Sequence, residues 1–327
     1  MFCSNFSASG ENNFACNLEN ILLGICFSLC GLTSLVLNSL LIYLISTLKV
    51  KQVNVLLIAV LGAGNLVSSV ANWSSEFRQL HSIYANESGN GAGSLVSVAQ
   101  CYLRSPHVVL LIVGHDWTAY VMLAMSIERM ASLCGVHGRS PKPTQTAVRR
   151  ALAAIATLGL FKLSVALADS LAQRDKLVHR LCNFRSIFSE PIYHMLLLSY
   201  LVMLYSTAAV FLVTCCLRRQ RRHWPTSELL TMRLSRERSL TKSLTITLAF
   251  VVLFQALPWT LLYARLPTPR WFRDFAIVAR HLTCAIIPII YLYNHPDIRK
   301  QLYDKIPLCG RLFKKQKRTN SVVYIGR

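Results

Sequence analysis

The sequence predicts an all-α membrane protein, a bundle of seven transmembrane helices. Three observations carry this. Hydrophobic residues make up 53% of the 327 and charged residues only 15%, against about 25% charged in ordinary soluble domains. The apolar residues gather into long runs near the ~20 residues that a bilayer requires of a spanning helix. Lys and Arg are distributed very unevenly between alternate connecting segments.

The runs fall at roughly 21–48, 53–76, 105–128, 151–171, 192–217, 244–263 and 274–293. Each is expected to be helical, because hydrocarbon offers no partner to a bare N–H or C=O. They divide the chain into a polar amino-terminal tail (1–20), the bundle (21–293) and a basic tail (294–327). The first 20 residues hold no Lys or Arg, so they lack the basic opening of a cleavable signal peptide. No internal repeat, low-complexity tract or soluble linker is evident, and the chain reads as one domain.

Orientation follows from charge. Segments 49–52, 129–150, 218–243 and 294–327 together hold 24 Lys plus Arg, whereas 1–20, 77–104, 172–191 and 264–273 hold 9. The positive-inside rule places the first set in the cytosol and the amino terminus outside. The net charge of +21 would point to nucleic acid in a soluble protein. Here its placement reads as a topology signal and an attraction to anionic lipid head groups, and no nucleic-acid partner is expected. Arg218-Arg219-Gln220-Arg221-Arg222 and Lys314-Lys315-Gln316-Lys317-Arg318 could also dock an acidic cytosolic partner. The sequons at Asn5 and Asn86 fall outside and are expected glycosylation sites. Asn72-Trp73-Ser74 also matches, but it lies at the end of the second span, too close to lipid for modification.

The third run ends in Glu128-Arg129, an acidic–basic pair at the cytosolic mouth of a helix. An unpaired Arg near hydrocarbon is costly. Arg129 therefore either snorkels to water or pairs with Glu128 at rest and is released as a switch. The sixth run contains Phe254-Gln255-Ala256-Leu257-Pro258, whose mid-span proline frees a carbonyl and bends the helix. The seventh contains Pro288-Ile289-Ile290-Tyr291, followed by Asn294-His295-Pro296-Asp297-Ile298-Arg299-Lys300.

In order and spacing, these stretches resemble those of rhodopsin-like (class A) G-protein-coupled receptors, over roughly residues 20–310. Glu128-Arg129-Met130 looks like the family's Asp-Arg-Tyr. Pro288 and Tyr291 look like Asn-Pro-x-x-Tyr, with Ile287 in place of the Asn. Leu37-Asn38-Ser39 resembles the Gly-Asn signature, and Leu61-Gly62-Ala63-Gly64-Asn65-Leu66 resembles Leu-Ala-x-Ala-Asp-Leu. Asn65 is neutral where the family has its sodium-binding Asp, and Ala256 stands where the family has Trp. Divergence of this kind is common among invertebrate chemosensory receptors, which the chain loosely resembles. The resemblance implies a plasma-membrane receptor whose partners are a heterotrimeric G protein, an extracellular small-molecule or peptide ligand, and membrane lipids. It implies an activation switch built on Glu128, Arg129, Pro258, Pro288 and Tyr291, and no enzyme activity or cofactor. It further implies a short amphipathic helix after the seventh span, near 296–306, with palmitoylation at Cys309.

Of the 11 cysteines, Cys26, Cys30, Cys134, Cys215, Cys216 and Cys284 lie in or beside spans as small apolar residues. Cys3, Cys16, Cys101 and Cys182 lie on the outer, oxidising side, where disulfides form. Cys101 and Cys182 resemble the family's bridge, although Cys101 precedes Arg129 by 28 residues, about one helical turn more than is usual there. Cys3 and Cys16 could form a second bridge. No spacing suggests zinc or another metal.

Asp116, Lys162, Arg280, His115 and His281 fall within spans. An unpaired charge there costs roughly 2.5–3.5 kcal/mol on insertion scales, so each needs a partner or a cavity. Asp116 and Lys162 lie at similar depth and either pair or face a ligand. Arg280 lies two turns outside Pro288, the depth of the ligand pocket that the resemblance implies. His281 is beside it, and Trp259 and Tyr263 on the sixth span could add an aromatic wall. Leu111 occupies the place where amine receptors keep an Asp. A buried guanidinium favours a carboxylate, unless Arg280 pairs with an internal acid such as Asp116 or Glu76. Two other functions compete. A transporter would show repeated halves with broken helices, and none is evident. An intramembrane enzyme would show Gly-x-Ser-x-Gly, His-Glu-x-x-His or facing aspartates, and no catalytic residue is expected.

Overall fold

A computed structural model describes residues 10–48, 53–87, 95–134, 145–179, 182, 184–220, 241–264 and 269–306. Cys3, Asn5, Cys309, residues 221–222 and the basic cluster at 314–318 lie outside the described residues. Seven helices are long and apolar enough to cross a membrane: Gly24–Ser46, Val53–Ser75, Pro106–Ser132, Arg149–Ala172, Glu190–Leu217, Thr241–Tyr263 and Phe275–Asn294. Each overlaps one of the seven predicted runs, and the architecture is a seven-helix all-α bundle.

In chain order, the elements are α1 (Gly10–Ser46), α2 (Val53–Glu87), β1 (Leu95–Ser97), α3 (Val98–Arg104), α4 (Pro106–Cys134) and α5 (Gln145–Ala172). Then follow β2 (Leu177–His179), α6 (Phe184–Ile187), α7 (Glu190–Gln220), α8 (residues 241–263), α9 (Arg270–Asn294) and α10 (Pro296–Lys305). The helix ends differ from the apolar runs where the sequence stays helical beyond lipid. α1 begins at Gly10, inside the segment expected to be a polar tail, so Cys16 falls on a helix. α2 continues to Glu87, since Phe77, Leu80 and Tyr84 keep helical spacing past the apolar run. Asn86 therefore lies at a helix end and not in a loop.

The third run is not one helix from its disulfide cysteine onward. Ser97 caps the short α3, its Oγ accepting from Gln100 N at 3.2 Å. Ser105 breaks the chain, and Pro106 opens α4, a position where its missing N–H costs nothing. Arg78 of α2 donates to Ser105 Oγ at 2.6 Å and to Arg104 O at 3.3 Å, holding the break in place. The extra turn between Cys101 and Arg129 is thus taken up by a separate element. Burial pushes the Tyr102 phenol above its ordinary value, and its hydroxyl donates to Leu163 O of α5 at 3.3 Å.

Two three-residue strands, too short to leave a periodic signal, pair antiparallel with Val96 opposite Val178. They join the segment before α3 to the segment after α5. The Cys101–Cys182 disulfide, with Cα atoms 5.5 Å apart, closes the same junction. The end of the bundle that carries them is called the disulfide end below. At that end Asp169 of α5 accepts from Ser189 Oγ at 2.6 Å and Ser189 N at 2.8 Å, capping the start of α7.

Apolar residues lie on both the inward and the outward faces of the spans. On α1, Phe27, Ser34, Asn38, Leu41 and Ile45 turn inward at helical spacing, while Leu22, Ile25, Leu29, Leu32 and Val36 are exposed. On α5, Leu158, Leu160 and Phe161 are exposed. α2 and α4 approach each other closely. A Cβ on Gly64 would lie 2.7 Å from Trp117 Cδ1, and one on Gly114 would lie 2.7 Å from Ser68 N. Small residues let the two backbones meet, and Trp117 Nε1 then reaches Val60 O at 3.2 Å.

α8 widens at Val252–Ala256, where Leu257 N–H bonds to Val252 O in an i→i+5 turn. Pro258 follows, and the wide turn accommodates the hydrogen bond that its ring cannot make. α9 carries Pro288 and ends at His295, whose extended backbone (φ −83°, ψ 115°) precedes Pro296, as a residue before proline prefers. α10 occupies the predicted 296–306 region and turns Ile298 inward while leaving Arg299, Lys300, Asp304 and Lys305 exposed.

Gly114→Ala should destabilise the bundle by about 1–3 kcal/mol, since the added methyl meets backbone. Gly159→Ala, which meets nothing within 4 Å, should not. Thermal melting of the two purified variants checks the contrast.

Candidate functional site

The bundle holds a large cavity at the disulfide end and a small one at the α10 end. Polar groups line the space between them.

At the α10 end, Arg129 Nη2 lies 2.7 Å from Glu128 Oε2, with both side chains more than nine-tenths buried. Ser132 Oγ donates to Glu128 Oε1 at 2.9 Å from one turn away. A burial this deep rules out simple snorkelling of Arg129 to water. Glu128, Arg129, Met125, Leu244 and Tyr291 line a small cavity there. Tyr291 is itself buried, and its hydroxyl meets Met125 Sδ at 4.0 Å. The structure thus brings Glu128, Arg129 and Tyr291 together. Pro258 and Pro288 are buried within α8 and α9.

In mid-bundle, Asn38 Nδ2 donates to Ser34 O at 2.8 Å and Cys284 O at 3.1 Å, linking α1 to α9. Ser34 and Ser69 share a hydrogen bond of 2.6 Å. Thr118 Oγ1 donates to Asn65 Oδ1 at 3.1 Å, linking α4 to α2. Tyr200 OH donates to Gln255 Oε1 at 2.8 Å, tying α7 to the wide turn of α8. Asn65 brings no charge to this network. Ala256 and Ile287, which differ from the resembled motifs, are buried as plain apolar residues.

The cavity at the disulfide end has a volume of about 300 Å³, the lower bound of ordinary ligand pockets. α2, α4, α7, α8 and α9 form its walls, and Cys182 closes one side. Of the sequence-predicted candidates, Asp116, Trp259, Arg280 and His281 line it. Tyr263 does not line it. Its ring packs edge-on against His194, 5.3 Å between centroids, because it lies a turn nearer the disulfide end than Trp259. Leu111 lines the cavity with a hydrocarbon surface.

Lys162 Nζ sits 2.6 Å from Asp116 Oδ2, and both side chains are 9% exposed. The ammonium also lies 5.5 Å from the Tyr120 ring centroid, a cation–π arrangement. Asp116 is therefore Lys162's partner and not the acid that Arg280 reaches. Arg280 Nη2 instead donates to Asn72 Oδ1 at 2.6 Å, and its Cζ stands 5.9 Å from the Trp259 ring centroid. The Glu76 and His115 side chains lie outside the described residues. His281 is buried against Phe27, ring to ring at 5.1 Å.

Sequence reasoning missed His107, Tyr193, Tyr200 and the role of Asn72. Asn72 stood out only as a sequon unsuited to glycosylation. A buried amide in mid-span needs a partner, and that was the available signal. His107 lies one residue inside α4 and resembles any interfacial histidine until the fold turns it inward.

The chain was compared with models of known protein families and with curated proteins, and nothing matches in either case. The reading of the site accordingly stands on its geometry.

Removing one member of the Asp116–Lys162 pair leaves the other buried and uncompensated. Lys162→Met or Asp116→Ala should each cost about 3–5 kcal/mol, whereas the double substitution should cost much less. Folded yield and melting temperature of the three variants measure this. Equal losses in single and double variants would show that the pair carries no such coupling.

Proposed function

We propose that the chain is a rhodopsin-like G-protein-coupled receptor of the plasma membrane. Its disulfide end faces outside and its α10 end faces a cytosolic heterotrimeric G protein. The observation that carries this reading is that two helices, α4 and α9, serve both ends. α4 presents His107, Leu111 and Asp116 to the ligand-sized cavity and ends at Glu128 and Arg129. α9 presents Arg280 and His281 to the same cavity and ends at Tyr291, beside Arg129. A ligand that favours one relative position of α4 and α9 shifts the equilibrium at the Arg129 pair.

The wide turn and Pro258 give α8 a point at which it can bend. Leu244, on the same helix, contacts the cavity around Arg129. Outward movement of that end of α8 would open the Arg129 pocket to a partner. Arg280 supplies a cationic group on the wall of the ligand cavity, suited to an acidic group on a small ligand. Glycosylation at Asn5 and Asn86 and palmitoylation at Cys309 complete the proposal.

Cells expressing the chain, screened with a library of small carboxylic and amino acids, should give a second-messenger response. Arg129→Ala should abolish that response at unchanged surface expression, while agonist binding is retained. A normal response from well-expressed Arg129→Ala would overturn the coupling role.

A further inference from the structure

We propose that the cavity at the disulfide end takes a small, mainly apolar ligand by a hydroxyl group held between Asn72 and His107. This rests on reading that cavity as the ligand site. Both side chains line it, Asn72 at 2% exposure and His107 at 3%. Asn72 Nδ2 and His107 Nδ1 have no hydrogen-bond partner among the described residues.

The rest of each side chain is committed, which fixes what the open atom can do. Asn72 Oδ1 accepts from Arg280 Nη2 at 2.6 Å. A guanidinium only donates, so the amide turns its oxygen to Arg280, and the open atom is the NH₂ donor. Arg280 enters here only as the group that fixes the amide. His107 donates to the Cys182 backbone. A neutral imidazole that donates through one nitrogen accepts through the other, so the open Nδ1 is an acceptor. The pair therefore presents one uncharged donor and one uncharged acceptor, on two facing helices. α2 and α4 run antiparallel, with Gly114 against Ser68 and Ser105 bonded to Arg78. Asn72 is four residues from Ser68 and His107 seven from Gly114. At about 1.5 Å per residue, the two lie about 5 Å apart along the seam.

A buried donor or acceptor left unmet is costly, and a ligand group that meets it removes the cost. The group must donate to His107 and accept from Asn72. A hydroxyl does both at one atom. A carboxylate could only accept and an ammonium could only donate, so each would leave one of the two unmet. Both target atoms are sunk in the wall, which further favours so small a group. Leu111, Ile112, Leu196, Leu197 and Ile277 line much of the remainder, which suits an apolar body.

The test uses the full chain, purified in nanodiscs, with thermal stabilisation as the readout. Two matched probe sets are applied: 3-phenylpropanol, its methyl ether and propylbenzene, then cyclohexylmethanol, its methyl ether and methylcyclohexane. The ether keeps the acceptor and loses the donor, and the hydrocarbon loses both. At least one alcohol should stabilise the protein at a concentration about tenfold or more below its hydrocarbon, with the ether between them, as expected for hydrogen bonds to two buried groups. His107→Gln keeps an amide N–H to reach Cys182 and loses the Nδ1 acceptor. In it, the alcohol should fall to the level of its ether. Asn72→Asp keeps an oxygen on Arg280 and loses the NH₂ donor. In it, the ether should fall to the level of its hydrocarbon. Each probe partitions into lipid equally for every variant, so partition cancels from these comparisons, and either variant suffices if the other fails to fold. No stabilisation by either alcohol would overturn the proposal. So would an alcohol no better than its hydrocarbon (the result if water alone serves the two atoms), or a gap that survives in the variant built to remove it. Because binding is measured apart from signalling, hydroxyl-dependent binding without any second-messenger response would sink the receptor reading and leave this one standing.

Discussion

Hydrocarbon offers no hydrogen-bond partner, and the rest of this structure depends on that constraint. A soluble helix turns its apolar face to the core. Here Leu, Ile, Val and Phe also cover the outward faces, and Ser, Thr and Asn sit among the apolar residues of the interior. Ser34 meets Ser69, Asn38 meets the Cys284 carbonyl, and Asn65 meets Thr118. Each bond joins two helices, so satisfying a polar group also fixes a helix pair. The same demand explains why the buried charges occur as neighbours, Lys162 on Asp116 and Arg129 on Glu128.

The constraint is met incompletely at several positions. Besides Asn72 and His107 at the cavity of the disulfide end, Asn38 Oδ1, Asn65 Nδ2 and Ser126 Oγ lack partners among the described residues. Asn65 and Ser126 lie on α2 and α4, which line both cavities. A fully satisfied polar core holds one arrangement firmly, whereas a partly satisfied one leaves groups able to exchange partners when helices shift. In the proposed receptor, an interior of the second kind would let a small displacement pass from one end to the other. Gly64 and Gly114 supply the opposing feature, a tight α2–α4 contact that keeps those two helices together.

The departures from the resembled motifs acquire a physical meaning in three dimensions. Ile287 and Ala256 fill apolar space. The link between α7 and α8 near the kink is made instead by Tyr200 and Gln255. The longer interval between Cys101 and Arg129 becomes a separate helix, α3, fixed by Arg78 and the disulfide. The amphipathic segment after Tyr291 docks by Ile298 in the place that its sequence indicates.

The sequence by itself determined the seven spans and the amphipathic segment. Lipid imposes a local, fixed-length requirement on each stretch, and composition alone meets or fails it. The neighbourhood of Glu128 and Arg129 was legible for the same reason, since the pair is adjacent in the chain. Tertiary structure decided the rest of the site. It gave Arg280 to Asn72, turned His107 inward and moved Tyr263 away from the cavity wall. Those outcomes depend on how each helix is rotated and how deep it sits. A helix that is apolar on nearly all sides carries little record of its own rotation, and the packing of its neighbours supplies what its sequence leaves open.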